Sequence, residues 1–336
     1  MSILVSTTCA EDGTIRTFTL DGDSLAPLAT SEIGKGVSAM APDATGLRAW
    51  AGTKEPTGIN QLELDPETGV WTSSGLTDTS DSMTYLTVSQ DQKWLLGASY
   101  SGGFGSVWPI TSDGLGEPTS TVQFANLHCV IELDGYCYFV SLGEDLIACY
   151  RLGDDGRLVP LAVPTVDAPT GSGPRHLTAT PDGTNLYCVT EFGGEVIRYS
   201  RDTSSGILSQ QEKVAAHATD RGLRHSELGA DPVEGHLIWG ADVHLAGQHL
   251  LASERTESTL SLHPVAADGR LGEQLDLAEV EKQPRAFNVT SDGRRVVVVG
   301  EKSEQISLFV FDGDTLRRAD RQPNGRGANW VRFLER

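Results

Sequence analysis

A polar turn that ends in an apolar residue recurs along this chain. It reads Asp21-Gly-Asp-Ser-Leu25, Glu67-Thr-Gly-Val70, Ser112-Asp-Gly-Leu115, Asp154-Asp-Gly-Arg-Leu158, Ser204-Ser-Gly-Ile207, Asp268-Gly-Arg-Leu271 and Asp312-Gly-Asp-Thr-Leu316. The apolar residues of these seven copies stand 45, 45, 43, 49, 64 and 45 residues apart. A fixed period of this kind implies stacked copies of one supersecondary unit, none of which can bury its own apolar face. A second set of turns, among them Pro42-Asp43, Gln90-Asp91, Asp134-Gly135, Pro181-Asp-Gly183, Ala246-Gly247 and Ser291-Asp-Gly293, leads into runs such as Trp94-Leu-Leu-Gly-Ala98 and Val296-Val-Val-Val299. Short apolar runs between turn signals predict buried strands. Four strands in ~45 residues, with no space for a helix between the turns, make one propeller blade. The fold class expected is all-β, a seven-bladed β-propeller with four-stranded antiparallel blades.

A length of 336 residues would suit two domains of ~150 residues each. The repeat replaces that division with a single propeller domain over residues 1–336, carrying an inserted loop at about 212–237, where the one long gap falls. Ala328-Asn-Trp-Val-Arg-Phe333 resembles the innermost strand of a blade, and Ile3-Leu-Val-Ser6 and Thr14-Ile-Arg-Thr-Phe18 resemble later ones. One blade is therefore expected to be closed by both chain ends, which removes two open strand edges.

Lys plus Arg number 26 against 46 Asp plus Glu, a net charge of -20. Such a surface repels phosphate backbones and anionic lipid, so the expectation is no nucleic-acid and no membrane partner. Met1 to Asp12 holds only Ile3-Leu-Val5 as an apolar run, with no basic residue before it, which argues against a signal peptide and for a cytoplasmic protein. The five cysteines, Cys9, Cys129, Cys137, Cys149 and Cys188, are odd in number and sit mostly in apolar stretches, as buried reduced thiols do.

Strand order sorts residues by face. With strands A to D counted outward from the axis, the loops before A and between B and C share one face, and the repeated turns lie on the other. The first set contains His128, Pro174-Arg175-His176, Trp239-Gly-Ala-Asp242, Pro284-Arg285 and Arg326-Gly-Ala-Asn-Trp330. The second contributes Lys54, Tyr100, Glu144, Glu191, Arg255 and Glu301-Lys302. Arg175, Arg255, Arg285 and Arg326 around one opening of an acidic protein point to a small anionic ligand, since guanidinium groups bind carboxylate and phosphate in bidentate fashion. Taken singly, each arginine reads first as an ion pair between blades; their convergence is what suggests a ligand. Glu191 and His128 add groups able to move protons, and Arg175, in the same blade as Glu191, would help keep it ionised. The insertion carries His217, His225 and His236, whose spacing fits no metal-ligand pattern, and it reads as a lid or a homo-oligomer contact. There is no GxSxG elbow, no P-loop and no GxGxxG after a strand.

Several of these segments carry a resemblance. Gly173-Pro-Arg-His-Leu177, Thr180-Pro-Asp-Gly183 and Leu186-Tyr-Cys-Val-Thr-Glu191 are similar to the central motif of the seven-bladed lactonase family, which includes bacterial propeller-type 6-phosphogluconolactonases and fungal muconate cyclases. Trp239-Gly-Ala-Asp-Val-His244, Leu250-Leu-Ala-Ser-Glu-Arg255-Thr256, Gln283-Pro-Arg-Ala-Phe-Asn-Val289 and Gly300-Glu-Lys-Ser303 resemble the bacterial branch more than the cyclases. The likeness is strong from about His128 onward and thinner before it. Gly325-Arg-Gly-Ala-Asn-Trp330 departs from the family pattern, which has Pro and Met before the Trp, and the inserted region is rewritten. Both bear on substrate choice.

The resemblance implies hydrolysis of a sugar lactone, first of all 6-phospho-D-glucono-1,5-lactone, without metal or other cofactor. By motif, the His, Arg, Glu and second Arg of the active site proposed for the family's cyclase fall on His128, Arg175, Glu191 and Arg255. Glu191 or His128 would then activate water, and Arg175 and Arg255 would stabilise the oxyanion or carboxylate. Arg285 and Arg326 would take a distal phosphate, with His176, Asp242, Asn329 and Tyr100 as further substrate contacts. A muconate-type cycloisomerase, or a hydrolase of an unphosphorylated or other acidic sugar lactone, would use the same residues. A scaffold that binds protein partners would instead show an apolar or broadly charged rim.

Overall fold

The structure, a computed structural model, describes residues 3–312 and 314–334. Gly313, in the last copy of the repeated turn, lies outside them. The strands form seven antiparallel sheets arranged as blades. The innermost strands of blades 1 to 6 are Met40–Pro42, Tyr85–Val88, Leu127–Leu133, Pro174–Ala179, Gly240–Ala246 and Ala286–Val289. In blade 7 the innermost strand is Ala328–Leu334, paired with Ile3–Cys9 and followed by Thr14–Asp21 and Ser24–Glu32, so both chain ends close one sheet. Each innermost strand touches that of the next blade around the whole ring. All seven repeated turns join the third strand of a blade to its fourth.

Blade 2 departs from four strands. Its outer edge is split into Gly114–Leu115 and Ser120–Gln123, both paired with Phe104–Thr111. The insertion also begins later than expected. Glu212 lies inside the outer strand Leu208–Ala215 of blade 4, where its carboxylate takes two bonds from Arg198 at 2.8 and 2.7 Å. Exposed polar residues on an edge strand look like loop in sequence, and the paired register is what separates the two. Beyond Ala215 the excursion contains one short helix, Pro232–Gly235, capped by Asp231.

Apolar faces of neighbouring blades pack together, which is why runs such as Val296 to Val299 are wholly buried. Polar staples cross the same seams. The Tyr138 and Tyr187 hydroxyls donate to the Gly206 and Gly269 carbonyls in the C–D turns of the following blades, at 2.8 and 2.7 Å. All five cysteines are buried and unbridged. No helix among the described residues is long and apolar enough to cross a membrane.

Candidate active site

A cavity of about 390 Å³ opens at the axis on the face where the innermost strands begin. Two pseudo-sevenfold sets of positions surround it, as the strand order requires: residues at the start of strand A, and residues at the end of strand B or just after it. His128, Arg175, Arg285 and Asn329 line it from the first set, and Lys54, Tyr100, Glu191, Arg255 and Glu301 from the second.

Three of the first set owe their aim to β-bulges. Leu127 pairs with Ser141 and Cys129 with Val140, leaving His128 as the extra residue. Arg175 is extra between Pro174 and His176 in blade 4, and Asn329 between Ala328 and Trp330 in blade 7. A bulge breaks the alternation of a strand and turns one more side chain to the same face. In blade 5 a similar irregularity spans Gly240 to Val243. There Gly240 lies so close to the Thr190 carbonyl that any Cβ would collide with it. That approach brings Trp239 against Glu191.

Glu191 is the centre of the charge pattern. Its Oε2 accepts from Arg175 Nε at 2.8 Å and pairs with Arg255 Nη2 at 2.9 Å. Among the described residues Oε1 accepts one hydrogen bond, a longer one from the Trp239 indole N–H at 3.3 Å. The Arg255 guanidinium lies 3.7 Å over the Trp239 ring. Burial alone would raise the Glu191 carboxyl, but Arg255 and Arg175 outweigh it and hold it below the usual range. Both arginines are almost fully buried, at 1% and 3% side-chain exposure. Even so, Arg175 Nη2 and Arg255 Nη1 have no protein acceptor among the described residues. Arg285 is paired with Glu301 at 2.9 Å.

Burial, reinforced by Arg175, pushes the His128 imidazole well below its ordinary value, so it is neutral at physiological pH. Its Nδ1 is buried without a partner among the described residues. Tyr100 and His176 flank it with ring centroids at 5.7 and 5.1 Å.

The expected substrate contacts divide. Tyr100, Asn329 and Arg285 line the cavity; His176, Asp242 and Arg326 do not. His176 lies beneath Arg175, and burial, then Arg175, lowers it to about 4. With Nδ1 2.8 Å from Asp242 Oδ1 and Nε2 3.3 Å from Arg175 Nη1, one neutral tautomer serves both, donating to Asp242 and accepting from the arginine. Asp242 also accepts from the Val243 and Phe287 backbone at 3.0 and 3.3 Å, and His244 Nε2 lies 3.2 Å away. These two residues hold Arg175 in place. Arg326 is turned outward because Asp12, in the neighbouring B–C turn, captures both its backbone N–H and its Nε at 2.7 and 2.8 Å, leaving the side chain 60% exposed. Glu144 caps Ala125, and Lys302 pairs with Glu11 at 3.1 Å. Trp239 and Glu301 are the functional candidates that the sequence named only as neighbours. Their motifs placed them at the mouth, but nothing in sequence showed that one would stack on Arg255 and the other neutralise Arg285. Among the described residues no group of three or more His, Cys, Asp or Glu is placed to hold a metal ion.

The family model for lactonases of the seven-bladed β-propeller type matches residues 2–333. A 6-phosphogluconolactonase of Pectobacterium carotovorum is 31% identical over 276 residues, covering 80% of this chain and 79% of its own. One from Serratia proteamaculans is 29% identical and covers 94% of this chain and 93% of its own. The solved structure of a periplasmic gluconolactonase from Pseudomonas aeruginosa superposes with a TM-score of 0.86 over 99% of both chains, at 22% identity, a likeness of fold. With a family model that spans nearly the whole chain, this protein belongs to the seven-bladed β-propeller lactonase family and is a lactonase.

Proposed function

We propose that the chain hydrolyses 6-phospho-D-glucono-1,5-lactone to 6-phosphogluconate, without a metal, as a cytoplasmic step of the pentose phosphate pathway. The names of the curated relatives support the substrate. The observation that carries the chemistry is the sharing of Glu191 by two buried arginines, each with a terminal nitrogen left over.

In this reading the lactone carbonyl oxygen lies against Arg175 and Arg255, and water is held at Glu191 Oε1. The water oxygen bonds to the carbonyl carbon as its proton passes to Glu191, and the carbonyl π pair becomes an oxyanion. Collapse breaks the bond from that carbon to the ring oxygen, which leaves as an alcohol carrying the proton from Glu191. The carboxylic acid product then ionises. Charge decides between the two candidate bases. When Glu191 gains a proton, the negative charge it gives up reappears on the oxyanion, so the buried guanidiniums always keep a counter-charge. A protonated His128 would add another cation beside Arg175, Arg255 and Arg285, which already oppose it. His128 therefore serves as a neutral hydrogen-bonding group. General-base help and oxyanion stabilisation of ~10²-fold each are enough for an ester that already hydrolyses slowly in water.

The test is Glu191→Gln, assayed by acid release in a pH-indicator buffer with folding checked by circular dichroism. The folded variant is expected to lose ~10²-fold or more in kcat. Full activity would remove Glu191 from the mechanism.

A further inference from the structure

The cavity wall is divided by charge. Its lining holds four cations, Lys54, Arg175, Arg255 and Arg285, against two carboxylates, Glu191 and Glu301. Arg285 is neutralised by Glu301, and Arg175 and Arg255 share Glu191. Of the surplus positive charge, one unit therefore belongs to the arginine pair and the other to Lys54, whose ammonium has no carboxylate or other partner among the described residues.

Position separates the two. Lys54 ends the second strand of blade 1, and in a ring of seven, blade 1 lies opposite the junction of blades 4 and 5. Arg175 and Glu191 come from blade 4 and Arg255 from blade 5. The lysine is exposed at the mouth, with its stem against the backbone. Gly36, at φ +70°, lies under its stem so closely that a Cβ there would stand 2.7 Å from Lys54 Cβ and Cγ. The stretches of wall from the adjoining blades 2 and 7 offer donors and, among the described residues, no acid. Thr84 Oγ1 accepts from the Tyr100 backbone at 3.1 Å, which leaves its O–H to donate. The Asn329 amide oxygen accepts from Thr8 at 2.7 Å, which leaves its N–H groups free. The Ser101 hydroxyl has no partner among the described residues.

We infer that Lys54, with Thr84, Ser101 and Asn329, forms a second anion subsite that takes the phosphate ester of the substrate across the channel from the Arg175–Glu191–Arg255 cluster. This rests on the lactone-hydrolase reading and adds how the phosphorylated substrate is chosen, replacing the role that Arg326 is turned away from. A monoester dianion matches a lone ammonium ringed by neutral donors, and a lactone spanning the channel would meet the arginines at its carbonyl end and Lys54 at its phosphate end.

The experiment is calorimetric titration of the intact protein, Lys54→Met and Lys54→Arg with 6-phosphogluconate and with gluconate. Wild type should bind 6-phosphogluconate about tenfold or more tighter than gluconate, the effect of one charge-assisted contact. Lys54→Met should abolish that preference and Lys54→Arg should restore most of it. No phosphate preference in wild type, a preference that survives Lys54→Met, or equal weakening of both ligands would overturn the subsite. Hydrolysis of phosphorylated and unphosphorylated gluconolactone, measured in parallel, keeps the two claims apart. A phosphate preference that depends on Lys54, without lactone turnover, would sink the proposed reaction and leave the subsite standing.

Discussion

Arg201 and the Arg175–Arg255 pair are buried arginines in one small protein, and they are used in opposite ways. Arg201 crosses the seam between blades 3 and 4. Its Nε donates to the Tyr138 hydroxyl at 2.8 Å, Nη1 to Asp134 and the Gly183 carbonyl at 3.0 and 3.1 Å, and Nη2 to the Leu133 carbonyl at 3.0 Å. Every nitrogen has an acceptor, and its counter-charge is its own. At the channel mouth two guanidiniums divide one carboxylate, and each keeps a terminal nitrogen with no acceptor among the described residues. Burial lowers the proton affinity of Arg175 and Arg255, with Glu191 pulling the other way. Saturated donors mark an arginine that holds blades together. Under-neutralised donors at a cavity mark one that waits for an anion.

Replacing the same residue type in the two regions should therefore split activity from stability. The largest effect is expected for Arg175→Met, with kcat/KM for the lactone falling ~10²–10³-fold, as for loss of an oxyanion donor. Denaturation should move less than in the seam variant, because Glu191 keeps Arg255 as its partner and only the Ala241 carbonyl and the His176 ring lose a donor. Arg201→Met should do the reverse. It removes the donor from the Tyr138 hydroxyl, which keeps only its bond to Gly206, and from the Gly183 and Leu133 carbonyls, at a cost of about 3 kcal/mol in urea unfolding, while turnover per folded molecule is retained. Equal losses of activity and stability in both variants would erase the distinction.

This contrast also explains what the sequence could convey. Blade number, closure by the chain ends and the face on which His128, Arg175, Glu191 and Arg255 meet all follow from turn spacing, because a turn is a local, chemically legible event. Asp12 next to Arg326, or Glu301 against Arg285, is different. Both are partnerships across loops, and nothing in a one-dimensional pattern says whether a mouth arginine is spent. The bulges at His128, Arg175 and Asn329 are equally silent in sequence, since an extra residue in one strand shows only against its partner strand. Glu212 reads as loop for a similar reason: it is a half-buried polar residue on an edge strand, and only the pairing with Ile197 and its neighbours shows the strand.

An intermediate effect is expected from pH. The Glu191 carboxyl is held below its ordinary value of 4.5, so its ionised form, and the activity it supports, persists above that value and is lost as pH falls through the lowered one. A kcat/KM profile should run flat from neutrality to about pH 4.5 and then drop about tenfold per unit once below the Glu191 titration. The stability contributed by the Arg175–Glu191–Arg255 cluster should vanish over the same acid window. An acid limb that survives in Glu191→Gln would transfer proton acceptance to another group, His128 first, whose own titration is also pushed well down by burial, and would break the charge argument that favours Glu191.

The smallest effect sharpens the comparison from its other side. Arg326 belongs by sequence to the cationic ring but is held outward by Asp12 and largely exposed. Exposed ion pairs of this kind contribute little, so Arg326→Ala should change KM for the phosphorylated lactone by less than about twofold, in steady-state assays at physiological salt. Lys54→Met should raise that KM by about tenfold. Both side chains carry the same charge on the same face; they differ in that one is paired outside the cavity and the other is unpaired within it. If Arg326→Ala raised KM as far as Lys54→Met, proximity to the mouth rather than a free donor inside the cavity would govern phosphate recognition, and Asp12 would have to release Arg326 when substrate binds.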